Sequence, residues 1–499
     1  MALLIAAPCS SSGKTLLCLL LAAAARSRGL GLQTFKVGPD YLDPQLLASA
    51  SGRPCRNLDL LLCGAPWVRQ SFHWWSNQVP LSLVEGVMGL YDGRGPSSEG
   101  SSAAIALELN LPVLLMVEAS RQAGSLAALV RGFRDHEPKL NIAGVVLNGV
   151  STSRHQQLLQ EAMGSIAMPV LGVIPRDESL ELPSRHLGLV PPAEQEAWPQ
   201  RLSQLGQKAS QWLQLEKLLA LMANPNQNTP QTQTQNQTQN PISWSLGTVL
   251  SKQKDHQQAT QTLSSQTLSL QTLSSQTLSS QTPCVVIAKD KAFHFCYPEL
   301  PEWLEALGCQ VQWWAPLEDQ ALPKECAALV LPGGYPELQA KELSQCKRSL
   351  RAINQHCRLG LPLYAECGGL LLLGQELLDA DGEAHPMAGV LPFRAQRGAL
   401  SLGYREATPL RAGLVLRPGE QLQGHEFHRW QLQEATAQKA AEQAWRLEGW
   451  GVLARVEGWT NAALHASWLH LHWGGCPSIP LRLRDAAVAA NARRQTTQN

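Results

Sequence analysis

The sequence predicts an α/β protein with two domains, and three observations support this fold class. Short apolar runs alternate with helix-length segments in both halves of the chain, which is typical of a sheet covered by helices. A serine-rich turn ending in Gly-Lys-Thr follows the first apolar run, at residues 8–15. A tract of Gln, Thr, Ser and Asn separates the halves. We predict an N-terminal P-loop domain with a doubly wound parallel sheet (1–222), a disordered low-complexity linker (223–282) and a C-terminal α/β domain (283–499).

The composition narrows the classes of function. Charged residues make up 16% of the 499 residues, the net charge is +1 and no Lys/Arg cluster occurs, so neither nucleic acid nor a polybasic membrane contact is expected. Twelve cysteines are scattered without CxxC pairs, which favours a reducing, cytoplasmic location. No apolar run approaches the length of a membrane span. The sequence leaves open whether the protein forms a homo-oligomer.

Apolar runs place the strands of the first domain in order. Residues 3–7 are expected to form a buried strand, and residues 16–25 the helix after the serine-rich turn. The remaining apolar runs predict strands that end near Glu85, Val117, Asn148 and Arg176. Segments long enough for a helix separate these runs, so the strands should be parallel and bind ligands at their carboxyl ends.

The serine-rich turn at residues 8–15 is a candidate phosphate loop. Backbone N–H groups, a lysine charge and a hydroxyl at a strand-to-helix junction surround a phosphate and its Mg²⁺. The sequence departs from a standard P-loop because Pro8 stands where glycine is usual. The candidate phosphate-binding residues are Ser12, Gly13, Lys14 and Thr15.

Acidic residues follow two later strands of the same domain. Asp40 and Asp43 lie three apart in FKVGPDYLDP, residues 35–44, where a solvated loop is the alternative interpretation. Glu85 ends an apolar strand and is followed by glycines in VEGVMGLYDG, residues 84–93. An acid at the carboxyl end of a strand beside a phosphate loop is where nucleotide-hydrolysing proteins bind Mg²⁺.

The composition of the chain changes abruptly in the linker tract, and an α/β pattern follows it. Near-repeats of Gln-Thr-Leu-Ser-Ser begin at Gln261 and bury too little apolar area to offset an ordering cost of about 1–2 kcal/mol per residue. Order is expected again in residues 284–295, where a strand runs into an aromatic turn, and further strands are expected at 311–314 and 327–331.

One cysteine in the second domain has the sequence context of a nucleophile. Cys367 follows an apolar strand, stands in AECGG and precedes an apolar helix predicted at residues 370–378. This layout is that of a nucleophile elbow, although a buried structural thiol is the alternative. The glycine pair of GGYPE, residues 333–337, follows an earlier strand and offers an oxyanion N–H group. His470 in HASWLHLH offers a general base.

These stretches resemble known families over nearly the whole chain apart from the linker. The second domain resembles the class I glutamine amidotransferases, in the variant fused to cobyrinate-amidating synthases. The first resembles the dethiobiotin-synthetase-like ATP-dependent ligases. FKVGPDYLDP, VEGVMGLYDG and SRHLGL (184–189) are most similar to those of the cobyrinate a,c-diamide synthases, and the likeness continues through LGYR (402–405) and GHEFH (424–428).

The resemblance implies a role for each candidate residue. Cys367 would attack the side-chain amide of glutamine, with His470 as its base. No acid that orients this histidine is evident, which indicates a Cys–His dyad. In the first domain Lys14 would contact the ATP phosphates. The other implied contacts are with Mg²⁺ (Thr15, Asp40, Glu85), with the corrinoid carboxylate (Asp43, Asp92, Leu42) and with adenine (Asn148, Pro175).

The implied activity is amidation of the a and c carboxylates of a cobyrinate-type corrinoid through acyl phosphates, with ATP, Mg²⁺ and glutamine. Three alternatives remain. They are the sister synthase that amidates other corrin carboxylates, a P-loop ATPase switch and a glutamine-sensing pseudoenzyme. A zinc site is disfavoured for two reasons. GHEFH lacks HExxH spacing, and the histidines of HASWLHLH would not share one face of a strand with a fourth ligand.

Overall fold

The computed structural model describes residues 2–177, 180–185, 188–224, 239–249, 282–434 and 442–498. The chain divides into two compact units, Met1–Asn240 and Pro241–Asn499. Within the described part of the chain, no helix is both long and apolar enough to cross a bilayer.

The first unit is built on a parallel sheet. Its strands are β1 (Leu3–Ala6), β2 (Leu32–Val37), β3 (Arg56–Leu58), β4 (Leu81–Glu85), β5 (Val113–Glu118), β6 (Ile142–Val150), β7 (Val170–Pro175), β8 (Ser184–Arg185) and β9 (Gly188–Leu189). Seven of them pair in the order β3-β2-β4-β1-β5-β6-β7, all parallel, while β8 and β9 form a separate hairpin.

Helices cover both faces of this sheet. They are α1 (Lys14–Ser27), α2 (Asp43–Ser51), α3 (Leu60–Ser76), α4 (Ser102–Glu108), α5 (Ser125–His136), α6 (Ser153–Gly164), α7 (Trp198–Trp212) and α8 (Leu215–Met222). Leu3 and Ile5 point into a core with α1, α2, α7 and α8, whereas Leu4 points into a core with α3 to α6. This alternation follows from the two-residue period of a strand, and it confirms the doubly wound sheet.

The second unit combines a parallel sheet with an antiparallel extension. Its strands are β10 (Cys284–Ala288), β11 (Phe293–Phe295), β12 (Gln310–Trp314), β13 (Cys326–Leu331), β14 (Gly333–Gly334), β15 (Leu363–Glu366), β16 (Glu376–Leu378), β17 (Ala384–Pro386), β18 (Phe393–Pro409), β19 (Leu422–Glu434), β20 (Gln443–Gly449), β21 (Val452–Thr460) and β22 (Leu464–Ser467). The helices are α9 (residues 241–249), α10 (Glu299–Ala306), α11 (Ala340–Gln345), α12 (Lys347–Arg358), α13 (Gly368–Leu373) and α14 (Ser478–Gln498).

The parallel part runs in the order β12-β10-β13-β15-β22, with β15 between β13 and β22. Beyond β22 the sheet continues through β21, β20 and β18, which pair antiparallel, and β19 pairs with β18. A short antiparallel pair, β11 with β14, lies apart from this sheet. The predicted α/β class is therefore confirmed for both units.

The helix after Cys367 is shorter than predicted. The sequence interpretation placed it at residues 370–378, but α13 ends at Leu373 and residues 376–378 form β16. Gly374 is extended, and Gln375 N donates to Phe393 O at 2.8 Å. Pairing of β16 with β17 and β18 thus outweighs the helical preference of the leucines.

Two predicted segments fall partly outside the described residues. The predicted disordered linker includes residues 225–238 and 250–281, which the structure does not describe, whereas α9 occupies residues 241–249. Asn224 N donates to Pro80 O at 2.9 Å, so contacts of the first unit continue past residue 222. Residues 186 and 187 of SRHLGL also lie outside the described residues.

Candidate active site

The phosphate loop lies between β1 and α1, at the carboxyl edge of the first sheet. Ser11 and Gly13 have positive φ values of 62° and 100°, which turn the chain sharply into the helix. A Cβ on Gly13 would lie 2.9 Å from Asn148 Nδ2, so this close approach requires glycine. Lys14 Nζ donates to Met88 O at 2.6 Å, on the loop that follows β4.

A buried lysine lies among the acidic residues of this edge. Lys36 Nζ is 2.5 Å from Asp43 Oδ2, 2.9 Å from Glu85 Oε1 and 3.8 Å from Asp40 Oδ2. Its side chain is 3% exposed and that of Glu85 is 1% exposed. Thr15 Oγ1 also donates to Glu85 Oε1, at 2.7 Å. Four of the predicted residues therefore share one cluster with a lysine that the sequence interpretation missed.

Burial and mutual contact shift the pKa values of this cluster. Burial, with the charge of Asp43, raises the pKa of Asp40 to about 6, and burial raises the pKa of Glu85 to about 7. Burial also acts against the Asp43 carboxylate, but Lys36 lowers its pKa below the usual value. Burial lowers the pKa of Lys36, but its carboxylate neighbours outweigh that effect and raise it well above the usual value. The lysine is therefore charged and offsets part of the negative charge of this cluster.

The donor set of this cluster fits a magnesium ion. Thr15, Asp40 and Glu85 supply hydroxyl and carboxylate oxygens, the ligands that Mg²⁺ prefers. Glu85 Oε2 is buried and has no hydrogen-bond partner among the described residues, which leaves one carboxylate oxygen available as a ligand.

These groups line a cavity of about 800 Å³. Gly13, Lys14, Thr15, Asp40, Asp43, Glu85, Asn148 and Pro175 all border it, as do Lys36, Glu118, Arg121 and Arg176. Ser12 lies just behind the wall, where its carbonyl oxygen accepts from Asn148 Nδ2 at 3.1 Å. Asp92 does not border the cavity; its Oδ2 accepts from Gly89 N at 2.7 Å and holds the loop after β4. Leu42 is buried at the start of α2 and also lies outside the lining.

In the second unit, Cys367 lies in the predicted turn between β15 and α13. Its backbone has φ 46° and ψ −104°, a conformation that costs a non-glycine residue energy and is typical of a strained nucleophile turn. Cys367 N donates to Ser467 O at 2.7 Å, which ties the turn to the end of β22. The thiol residue is only 4% exposed.

Close backbone contacts explain the glycines around this turn. A Cβ on Gly368 would lie 2.8 Å from Gly334 N, and one on Gly369 would lie 2.1 Å from Leu331 O. The Gly368 side of the turn is therefore packed against the backbone of the earlier glycine pair. A Cβ on Gly333 would lie 2.4 Å from His470 Cε1, so glycine there leaves room for the imidazole.

The thiol needs an external base in this environment. Burial, reinforced by the charge of Glu337, raises the pKa of Cys367 well above its usual value, and the Gly368 N–H opposes this only partly. A protonated thiol is a weak nucleophile, so a nearby group must accept its proton.

His470 lies beside this turn, on the loop that follows β22. Its backbone exchanges two hydrogen bonds with His425, N to O at 2.9 and 3.0 Å, which fix the loop against β19. Glu457 adds support, because Ser467 Oγ and Trp468 N donate to its carboxylate at 2.6 and 2.8 Å.

The structure places an acid next to His470, where the sequence interpretation found none and indicated a dyad. Glu366 Oε2 is 3.3 Å from His470 Nδ1, and the two side chains are 5% and 2% exposed. This glutamate immediately precedes Cys367 in the chain, but its local sequence gives no sign of a contact with a residue about a hundred positions later.

The other histidines of HASWLHLH have separate positions. His465 is buried between Tyr364 and Trp445, with ring centroids at 5.2 and 4.9 Å. His472 Nε2 is 3.7 Å from Glu299 Oε2 and its ring contacts Tyr297.

The fold and these two clusters define a P-loop nucleotide-binding domain joined to a class I glutamine amidotransferase domain. Residues 3–190 match the family described as the CobQ/CobB/MinD/ParA nucleotide binding domain. Residues 284–477 match the CobB/CobQ-like glutamine amidotransferase domain.

Similar proteins match this chain over nearly its whole length. A Synechococcus protein named cobyrinate a,c-diamide synthase is 38% identical over 99% of both chains. A Gloeobacter violaceus protein of the same name is 37% identical over 95% of this chain and 94% of its own. A Streptomyces coelicolor protein named hydrogenobyrinate a,c-diamide synthase is 37% identical over 96% of each. The chain belongs to the family of cobyrinate a,c-diamide synthases.

Proposed function

We propose that this enzyme amidates the a and c carboxylates of cobyrinate, or of its metal-free form, with MgATP and with ammonia from glutamine. The observation that carries the proposal is the presence in one chain of a phosphate-loop cavity lined with carboxylates and of a strained cysteine turn beside a histidine. Relatives that bear the synthase names over nearly their full length support the same reaction.

The first unit would activate the carboxylate. A substrate carboxylate oxygen attacks the γ-phosphorus of ATP, so that an acyl phosphate forms and ADP leaves. Lys14 and the loop N–H groups stabilise the charge on the transferring phosphoryl group, and loss of one such contact typically costs about 3–4 kcal/mol of barrier. Mg²⁺ held by Thr15, Asp40 and Glu85 would supply further charge neutralisation. The buried Lys36 keeps these carboxylates close together before the nucleotide arrives.

The second unit would supply the ammonia. His470 accepts the thiol proton of Cys367 while the sulfur bonds to the amide carbon of glutamine. The proton then passes to the departing nitrogen as the carbon–nitrogen bond breaks, which leaves a thioester and ammonia. Water hydrolyses the thioester to glutamate. Ammonia attacks the acyl phosphate, and phosphate leaves as the amide forms.

The first test separates the two halves of the reaction. Cys367→Ala should abolish glutamine-dependent amidation and leave ammonia-dependent amidation near the wild-type rate, because only the nitrogen source is lost. Cys357→Ala, a half-buried thiol of the same unit, is the matched control and should keep both activities. An unchanged glutamine-dependent rate in Cys367→Ala contradicts the proposal.

The second test identifies the substrate carboxylates. Mass spectrometry of cobyrinic acid incubated with the enzyme, glutamine and MgATP counts the amides, and amidation should stop at the diamide. Further amidation of a diamide substrate would instead assign the sister synthase activity. ATP hydrolysis without any amide would favour a nucleotide-dependent switch.

A further inference from the structure

Glu366 lies against the Nδ1 atom of the His470 imidazole. Its Oε2 is 3.3 Å from His470 Nδ1, and both side chains are almost fully buried. A carboxylate only accepts hydrogen bonds, so this contact favours the tautomer with the proton on Nδ1. In that tautomer Nε2 is the basic nitrogen, and a Cβ added at Gly333 would lie 3.2 Å from it.

The rest of the Glu366 carboxylate is anchored by two donors. Tyr364 Oη donates to Oε1 at 2.5 Å, and Leu471 N donates to the same oxygen at 3.2 Å. Both donors come from segments that also carry the reacting groups, because Tyr364 is in β15 and Leu471 follows His470. The carboxylate therefore joins the strand that leads to Cys367 to the loop that carries the base.

We propose that Glu366 is the positioning residue of the glutaminase site, which fixes the tautomer and orientation of His470 and stabilises the imidazolium formed when Cys367 is deprotonated. The inference rests on the proposed function and deepens it. The acid comes from the residue directly before the nucleophile.

The alternative is that Glu366 only holds β15 and the loop together through its two donors. Glu366→Gln distinguishes the roles because it keeps the side-chain size and an acceptor oxygen but removes the charge. Tyr364→Phe is the matched control, since it removes one donor to Glu366 and leaves the contact with His470 in place.

The experiment measures glutamate release and amidation by the full-length enzyme with corrinoid and MgATP. We expect Glu366→Gln to lower kcat for glutamine about 10²-fold or more with little change in KM, as removal of a general-base partner does. Ammonia-dependent amidation should stay within about twofold of wild type. Glu366→Asp should recover part of kcat because it restores the charge, and Tyr364→Phe should stay within a few-fold of wild type.

Other outcomes overturn the inference. Wild-type kcat in Glu366→Gln would show that the carboxylate does not act on His470. Equal losses in Glu366→Gln, Glu366→Asp and Tyr364→Phe would assign a structural role. Failure of the wild-type enzyme to amidate with either nitrogen source would contradict the proposed function instead, and glutamate release would still report on Glu366.

Discussion

His465 shows at the residue scale what complete burial does to an ionisable group. Its side chain is 0% exposed, and neither ring nitrogen has a hydrogen-bond partner among the described residues. Burial alone lowers its pKa to about 3. The imidazole is neutral in the folded protein, and the cost of charging it is a stability term that depends on pH.

We predict that burial of His465 makes the folded protein less stable in acid. The folded pKa lies below the unfolded value of about 6.5, so the stability from neutral His465 is complete above that pH and is lost as pH falls towards 3. Between pH 6.5 and 5 the loss is about 2 kcal/mol. His465→Phe keeps a ring between Tyr364 and Trp445 and removes this term, so its Tm should fall less than the wild-type Tm between pH 7.5 and 5. Equal decreases in Tm would show that His465 does not contribute.

Lys36 and Glu366 are also residue-scale features, and neither stands out in its own stretch of sequence. In FKVGPDYLDP, Lys36 has the sequence context of an ordinary strand residue. In the structure it contacts Asp40 and Asp43, which follow β2, and Glu85 of β4. A buried charge without a partner of opposite sign destabilises the fold. The position of Lys36 therefore depends on the acidic residues around it.

At the element scale, Gly374 decides where the helix after Cys367 ends. Any residue can adopt its φ of −65° and ψ of 176°, so glycine is needed at this position for steric reasons. A Cβ there would lie 2.4 Å from Phe393 Cε2, on β18. Because Gly374 has no side chain, Phe393 packs closely against it, and residues 376–378 pair with β18 at Arg394 and Ala395.

Gly374→Ala should therefore destabilise the second unit by about 1–3 kcal/mol through overpacking. The matched control is Gly247→Ala in α9, where nothing lies within 4 Å of the new methyl group, and there we expect a gain of up to about 1 kcal/mol. Thermal unfolding of the two variants measures the difference. An alanine at residue 374 that raised Tm would show that Phe393 moves aside without cost.

At the scale of the whole molecule, each unit has its own core. The apolar clusters of the first unit end at Met222, and that of the second begins at Cys284. Each cluster is drawn from one unit, and the intervening low-complexity tract contains few apolar residues other than leucine. The two units should therefore be able to fold separately.

We expect the separately expressed pieces 1–240 and 241–499 each to unfold cooperatively, with secondary structure close to that of the same region in the intact enzyme. Circular dichroism during heating measures both. A piece that lacked a cooperative transition would show that its core depends on the other unit.

The sequence by itself determined the features that are local in the chain. Hydrophobic periodicity predicted the doubly wound sheet, and the order strand, turn and helix predicted the phosphate loop at Gly13-Lys14-Thr15 and the turn at Cys367. Such features depend on a few consecutive residues whose backbone preferences and spacing can be read directly.

Only the tertiary structure decided which distant side chains meet. The approach of Glu366 to His470 spans about a hundred residues and depends on the pairing of β15 with β22. The gathering of Lys36, Asp43 and Glu85 depends on β2 lying beside β4, and the end of α13 depends on Phe393. Strand order and side-chain packing set these contacts. Local sequence preference does not reveal strand order, because strands that pair in a sheet can be far apart in the chain.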